Sequence, residues 1–556
     1  MPSTTHEIVR HAQFNIGHIC SRQVCEDGRD TGIAMYWVGP KGDSRHYSFA
    51  ELELESNRAA NALAGLGLSK GDVLFLFLPK RPELFFAFLG ALKLQLTVGT
   101  LFSNFGEDAL RDRVGPCGAR AVITQGSLLH KLLRVRDQLP ELKHVLSLDA
   151  AVERAGVLDY HALVESASPQ FTADITAQDT PSVLHYTSGS TGKPKGALHV
   201  HGSILMQHLT ARDVLGLRRD DLYWCTADPG WVTGTSYGII GPWSLGVSQL
   251  HYGGAYDASR WMRLLSEHEV TVWYTAPTAL RMLMLEPIEV FAEPRPRLRS
   301  IFSVGEPLNP EVIVWARRVL GRDVFDTWFQ TETGSIMISN SPSLPIRPGS
   351  MGKPVPGVVA QTVDEQAKDV PVGCSGNLCL KPGWPSMFVG YVGNQSAYNS
   401  KFRHGLYWTG DTARQDADGY FWFLGRSDDV INTAGHLVSP FEVESALLER
   451  REVAEAAVVA LPDEVLFEKV VACVVLRDGV QPSEALQLDL KLHVSNRVST
   501  TASPREIVFS DGLPRTRSGK IMRRVVRARM LGQDPGDCSS MDDESEVPVR
   551  PDGEVA

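Results

Sequence analysis

Short apolar runs alternate with amphipathic helices over about residues 50–300, and this alternation restricts the architecture more than any other feature. The segment 47–67 sets Leu52, Ala59, Leu63 and Leu66 at helical spacing. Ser48 or a neighbour is the expected cap, and Gly65 and Gly67 stop the helix. Residues 73–78 read as a buried strand and 82–93 as a helix, with further strands at 121–124, 145–148 and 270–274. Strands separated by helices pair in parallel and need helical cover. The expected class is α/β: a large N-terminal domain of parallel-rich sheets with helices.

A different texture begins near residue 350. Pro and Gly punctuate short β-like segments at 376–380, 407–409 and 420–423, which fits a small β-barrel-like subdomain. Beyond the run Gly425-Arg-Ser-Asp-Asp-Val430, a helix is expected at 441–449, strands at 453–460 and 469–476, and a helix at 486–498. The chain thus divides near Asp428 into an N-terminal domain, 1–427, and a small α+β C-terminal domain, 428–530. The segment 531–556 holds eight acids, one Arg and three prolines from Asp534 onward and is expected to be a disordered acidic tail.

Composition excludes several classes. At 43% apolar and 22% charged residues the chain is neither mostly disordered, collagenous nor a coiled coil. A net charge of −10 argues against nucleic acid as a partner. Eight scattered cysteines without a C-x-x-C pair give neither a disulfide framework nor a zinc ribbon. The N-terminus lacks the apolar stretch of a signal peptide. The most apolar region is broken by Pro79, Lys80, Arg81 and Glu83 and ends at Lys93, short of the roughly 20 residues that span a bilayer. A cytoplasmic protein is expected.

The chemistry concentrates in Tyr186-Thr-Ser-Gly-Ser-Thr-Gly-Lys-Pro-Lys-Gly196. Thr187, Ser188, Ser190 and Thr191 offer hydroxyls, Gly189 and Gly192 let backbone N–H groups approach an anion, and Lys195 supplies charge. This is a phosphate cradle by composition. It is not a Walker A loop, because no Lys-Ser or Lys-Thr pair ends it.

With that run on the page, the chain resembles the adenylate-forming superfamily, which includes acyl-CoA synthetases, luciferases and peptide-synthetase adenylation domains. Further blocks match in order: Ser303-Val-Gly-Glu-Pro-Leu308, Asp326-Thr-Trp-Phe-Gln-Thr-Glu-Thr-Gly334, Tyr407-Trp-Thr-Gly-Asp411, Gly425 to Val430, and Leu513-Pro-Arg-Thr-Arg-Ser-Gly-Lys520. The runs Gly230-Trp-Val-Thr-Gly234, Leu308-Asn-Pro310 and Lys520-Ile-Met-Arg-Arg524 are most similar to the acetyl-CoA synthetase and short-chain branch.

The resemblance implies two half-reactions: a small carboxylic acid attacks ATP to give an acyl-adenylate and pyrophosphate, and coenzyme A then displaces AMP after the C-terminal domain rotates about Asp428. It implies Lys520, Thr187 and Glu332 as catalytic residues, with Glu332 also holding Mg²⁺. It assigns ATP binding to residues 187–192 and Lys195, to Gly305, Glu306 and Pro307, to Asp326, Thr327, Trp328, Phe329, Gln330 and Thr331, and to Asp411 and Arg426. The acyl pocket would be Trp231, Val232, Thr233, Val304 and Phe329. At Phe329 the acetate enzymes carry Trp, so this pocket is expected to be roomier.

The departures lie in the C-terminal domain. The family's Gly-x-Arg-ϕ-Gly reads Gly435-His-Leu-Val-Ser439 here, placing Leu437 for Arg and Ser439 for Gly, and relatives often have Gly where Phe467 stands. A second reading therefore stays open: an adenylating enzyme of a specialised pathway that passes its activated acid, nitrite included, to an amine or other non-CoA acceptor.

Overall fold

The computed structural model describes residues 8–10, 12–149, 156–188, 194–434, 436–463, 465–515, 521–536, 538 and 541. Most of the expected tail, including 542–556, therefore lies outside the described residues.

Strand Ile33–Val38 pairs antiparallel with Ser44–Ser48 and parallel with Ser248–Tyr252. It thereby joins a nine-stranded sheet among the described residues, whose parallel centre is Ser248–Tyr252, Leu222–Cys225, Val272–Thr275, Ser300–Val304 and Val324–Trp328. A second sheet of eight strands centres on the parallel strands Val73–Phe77, Thr97–Leu101, Ala121–Thr124 and His144–Ser147. One side of it carries the hairpin Pro181–Ser188 and Pro194–Val200 and the short strand Gly390–Tyr391. The parallel pairing follows from the helices that separate the strands.

Two of those helices show how sequence becomes packing. Helix Phe49–Gly65 starts at Ser48, whose hydroxyl accepts from the Glu51 N–H while the Glu51 carboxylate accepts from the Ser48 N–H. Its buried face, Phe49, Leu52, Ala59 and Leu63, lies on helix Pro82–Lys93, whose residues are all buried except Glu83. A Cβ at Gly90 would stand 2.7 Å from the Ser56 carbonyl oxygen and 2.8 Å from the Ala59 Cβ, so only glycine permits this approach. Lys93 closes the same contact from within: its ammonium donates to Glu53 at 2.6 Å and to Ser56 and Asn57. A buried cation is tolerated when it is so fully paired.

The punctuated region forms a five-stranded antiparallel sheet, Ala360–Val363, Ser375–Leu380, Leu406–Gln415, Phe402–Arg403 and Phe421–Arg426. Beyond it, Ile431–Thr433, His436–Val438, Val453–Asp463, Phe467–Leu476 and Glu506–Phe509 form a fourth sheet. Helices Pro440–Leu448 and Glu484–Arg497 pack with it around Val443, Leu447, Val458, Val470, Leu490 and Val494. The long hairpin outruns the apolar runs that announced it, because Leu461, Pro462 and Asp463 stay in register with Lys469, Glu468 and Phe467. Phe467 takes φ +70°, a conformation that favours glycine, as the relatives' residue would suggest. Asn309 of the N-terminal part donates to the Ser445 hydroxyl at 2.9 Å, linking the loop before helix Pro310–Val319 to helix Pro440–Leu448.

Candidate active site

Strands Ser300–Val304 and Val324–Trp328 run parallel, with Ser303 opposite Asp326 and Val304 opposite Thr327. Both end at a cleft of about 1300 Å³, the place where parallel sheets present their loops. The Ser303 hydroxyl, fully buried, donates to Asp326 at 2.8 Å. The Thr327 hydroxyl donates to the Ser303 carbonyl at 2.8 Å and lies 2.6 Å from the Tyr274 hydroxyl. Burial pushes the Asp326 carboxyl up to about 7, against the Ser303 hydroxyl and the Thr327 N–H, which pull it down.

The loop after the first strand turns at Gly305, φ +90°. Glu306 accepts from the Thr278 hydroxyl at 2.8 Å and from Arg281 at 2.6 Å. Its carboxylate is thus spent on holding the loop, and Gly305, Glu306 and Pro307 line the cleft as a wall.

The loop after the second strand carries Phe329 to Glu332 and turns at Gly334, φ +70°. A side chain at Gly334 would meet the Ser386 carbonyl oxygen at 2.4 Å and the His199 ring at 2.9 Å, so no other residue fits. His199 accounts for the position of this loop: its Nε2 is 2.8 Å from the Thr331 carbonyl, an acceptor, so Nε2 carries the proton. Burial pushes its imidazole down to about 4. Glu332 accepts from the Tyr391 hydroxyl at 2.6 Å through Oε1. Among the described residues Oε2 has no hydrogen-bond donor in the structure.

Asp411 and Arg426 face each other on adjacent strands of the five-stranded sheet, with Arg426 3.5 Å from Oδ1. The other oxygen accepts from the Trp328 indole at 3.1 Å and the Gln330 amide at 2.9 Å. Arg426 also lies 3.5 Å from Asp428, which is more than half exposed in the turn before Ile431–Thr433.

Trp231, Val232, Thr233, Val304 and Phe329 all line the cleft. Trp231 packs on Phe102 at 5.0 Å and caps the start of helix Val232–Thr235. Phe329 meets Tyr237 edge-on at 5.5 Å and 77°.

Thr187 and Lys195 stand opposite each other in the hairpin and line the cleft, and Ser188 faces Pro194 where the strand ends. Gly189, Ser190, Thr191, Gly192 and Lys520 lie outside the described residues. Arg515 and Ile521, which bridge to each other on either side of Lys520's segment, both line the cleft.

Sequence reasoning missed Tyr391, His199, Tyr237 and Lys401. None sits in a glycine-rich or acidic motif; only the pairing of Gly390–Tyr391 with Pro194–Val200 brings Tyr391 to Glu332.

Ser439 has a local role that its sequence position did not announce. It caps helix Pro440–Leu448, accepting from the Glu442 N–H at 3.2 Å and donating to the Leu424 carbonyl, and it is buried. Leu437 is 63% exposed in the preceding hairpin.

The chain matches the family described as AMP-binding enzyme over residues 23–392, and the AMP-binding enzyme C-terminal domain over 442–520. It is 45% identical over 522 residues to the acetyl-coenzyme A synthetase of Bacillus subtilis (strain 168), covering 93% of this chain and 91% of that one. It is 38% identical over 565 residues to the enzyme of the same name from Streptomyces coelicolor, covering 95% and 86%. Among solved structures, an anthranilate CoA ligase, AuaEII, in complex with anthranoyl-AMP superposes with TM-score 0.86 at 31% identity, over 93% of this chain and 97% of that one. A benzoate CoA ligase from Burkholderia xenovorans LB400 gives 0.81 at 28% identity, over 92% and 99%.

Proposed function

The chain belongs to the AMP-binding enzyme family, and from that membership we propose the following working account of its chemistry. It is an AMP-forming acid–CoA ligase: it activates a small, acetate-type carboxylic acid with ATP, releases pyrophosphate, and transfers the acyl group from the adenylate to coenzyme A. The observation that carries the reading is the convergence of Glu332, Asp411 and Arg426, from separate segments, on one cleft that Thr187, Lys195 and Phe329 also line. The alternative, a non-CoA acceptor, is not favoured beside 45% identity to an acetyl-coenzyme A synthetase.

The roles follow from the chemistry at each position. Asp411, fixed by Trp328 and Gln330 and faced by Arg426, accepts from the ribose hydroxyls. The wall at Gly305–Pro307 and the strand from Asp326 to Trp328 hold the adenine. Thr187, Lys195 and the loop 188–192 receive the phosphates, and Lys520 bridges the acid's carboxylate and the α-phosphate. Glu332 suits Mg²⁺: one carboxylate oxygen is held by Tyr391 and the other is free of protein donors among the described residues. This fits a cation that completes its shell with phosphate oxygens and water. Bound there, Mg²⁺ would offset the charge of the phosphates. The acid's alkyl end lies against Trp231, Val232, Thr233, Val304 and Phe329.

The 428–530 unit would turn about Asp428 between half-reactions, which is supported by that residue's exposure and its place in a turn. A cytoplasmic location is supported by the cysteines, none of which is joined in a disulfide among the described residues. No helix among the described residues is long and apolar enough to cross a membrane.

The test is pyrophosphate release across acetate, propionate, butyrate, benzoate and nitrite, with and without coenzyme A. Acetate-type acids should give release, and coenzyme A should turn the burst into steady turnover. Absence of release with every acid would overturn the reading.

A further inference from the structure

Lys401 belongs to none of the motifs above, yet it lines the same cleft. Its Nζ stands 5.9 Å from the centre of the Tyr407 ring, as the Nζ of Lys195 stands 5.8 Å from that of Tyr391. Both tyrosines pack on Phe388, at 5.0 and 6.2 Å, so the two cations rest on one aromatic cluster. The tyrosine hydroxyls are committed elsewhere, Tyr391 to Glu332 and Tyr407 to Gln330.

Among the described residues neither ammonium has a hydrogen bond or an ion pair in the structure. Arg426, by contrast, has Asp411 and Asp428 at 3.5 Å. Burial pushes the Lys401 ammonium below its ordinary range, while the Glu332 and Asp411 carboxylates pull it up from a distance. A largely buried ammonium without a carboxylate against it is costly unless an anion arrives to pair with it. Asp411 marks the ribose end of the cleft and Lys195 the phosphate loop, and the carboxylate acting most strongly on Lys401 is Glu332.

We propose that Lys401 is a further phosphate-contacting residue of this site, which with Lys195 receives the β- and γ-phosphates of ATP and holds pyrophosphate as it leaves. The proposal rests on the nucleotide reading given above.

It is tested by titrating Mg²⁺-pyrophosphate and AMP separately into the whole protein and into Lys401→Met, Lys401→Gln and Lys401→Arg, with KM for ATP and kcat for adenylate formation measured alongside. Lys401→Met and Lys401→Gln should each weaken pyrophosphate binding by roughly 10- to 100-fold, as expected for one lost contact to a charged group, and raise KM for ATP with it. AMP binding should be unchanged, and Lys401→Arg should restore most of the pyrophosphate affinity. Unchanged pyrophosphate binding in both neutral variants, or equal weakening of AMP and pyrophosphate, overturns the proposal. A wild-type protein that binds neither ligand overturns the nucleotide reading itself, and the proposal with it.

Discussion

The Trp328 indole N–H donates to Oδ2 of Asp411 at 3.1 Å, tying the end of a parallel strand in the nine-stranded sheet to the middle of a strand in the antiparallel one. Gln330 reaches the same oxygen. The carboxylate assigned to the ribose is therefore oriented by the loop that also carries Glu332. Trp328→Phe keeps the aromatic bulk and removes the donor. It should weaken AMP binding by roughly tenfold, the scale of one hydrogen bond to a charged group. Titration of AMP into the variant checks this, with the melting temperature as a control for folding.

Asp326 makes stability depend on pH. Its carboxyl is pushed from an ordinary 3.8 up to about 7 by burial, so between those values the folded protein holds a proton that the unfolded chain has lost. That contribution is fully present below about pH 4 and is lost as pH rises through about 7. Asp326→Asn keeps an oxygen for the Ser303 hydroxyl and removes the titration. Its stability relative to wild type should rise from about pH 4 to about pH 7 in urea unfolding and level off above that. The buried histidines act in the opposite sense: His185 and His199, pushed down to about 3 and 4, destabilise the fold as pH falls below 6.5. The difference between variant and wild type is therefore the quantity to plot.

Phe329 lines the cleft edge-on to Tyr237 and is proposed to set the room for the acid. Phe329→Trp should shift kcat/KM toward acetate and Phe329→Gly toward longer acids, each by about tenfold per methylene discriminated. Equal ratios for acetate, propionate and butyrate in wild type and both variants would take Phe329 out of the pocket.

Lys520→Ala should abolish adenylate formation and leave thiolation of supplied acyl-AMP largely intact, since the role proposed for its charge belongs to the first half-reaction alone. Single-turnover assays of each half separate the two outcomes. Equal loss of both would show that the lysine has another role.

Ser439 and Leu437 part company in stability. Ser439→Gly removes the cap of helix Pro440–Leu448, a change worth a few tenths to about 1 kcal/mol, and the bond to Leu424 as well. Leu437→Arg lies at an exposed position and should leave the melting temperature alone. The double variant restores the family's Arg and Gly, and CoA-dependent turnover should rise despite the lost cap. An unchanged rate would mean that the wild-type residues already serve the coenzyme A step equally well.

What was legible in the sequence was whatever a contiguous run of residues must do. Helix Pro82–Lys93 was readable to its ends because Pro opens it, the apolar residues fill it and Lys93 closes it. Glu332, Asp411 and Arg426 could be picked out because each stands in a short block that the family resemblance matches. Tyr391 and Lys401 were not, because their approach to the cleft depends on pairing and packing between distant segments; Tyr391 is 59 residues from the Glu332 it touches. The function of Ser439 was hidden for a different reason. Its place in the sequence showed only a departure from the family's Gly, whereas its hydroxyl is bound to two backbone groups.

The pairing of Ile33–Val38 with Ser248–Tyr252 has a consequence for how the protein is made. The hairpin to Ser44–Ser48 can close as soon as both strands leave the ribosome, but the other edge of this strand, flanked by Ala34, Met35 and Val38, waits for about 210 more residues. At about 5–20 residues per second that wait is on the order of 10–40 s. A ribosome that pauses between residues 50 and 250 lengthens it. During that time the edge of Ile33–Val38 has to be covered by something other than its native partner.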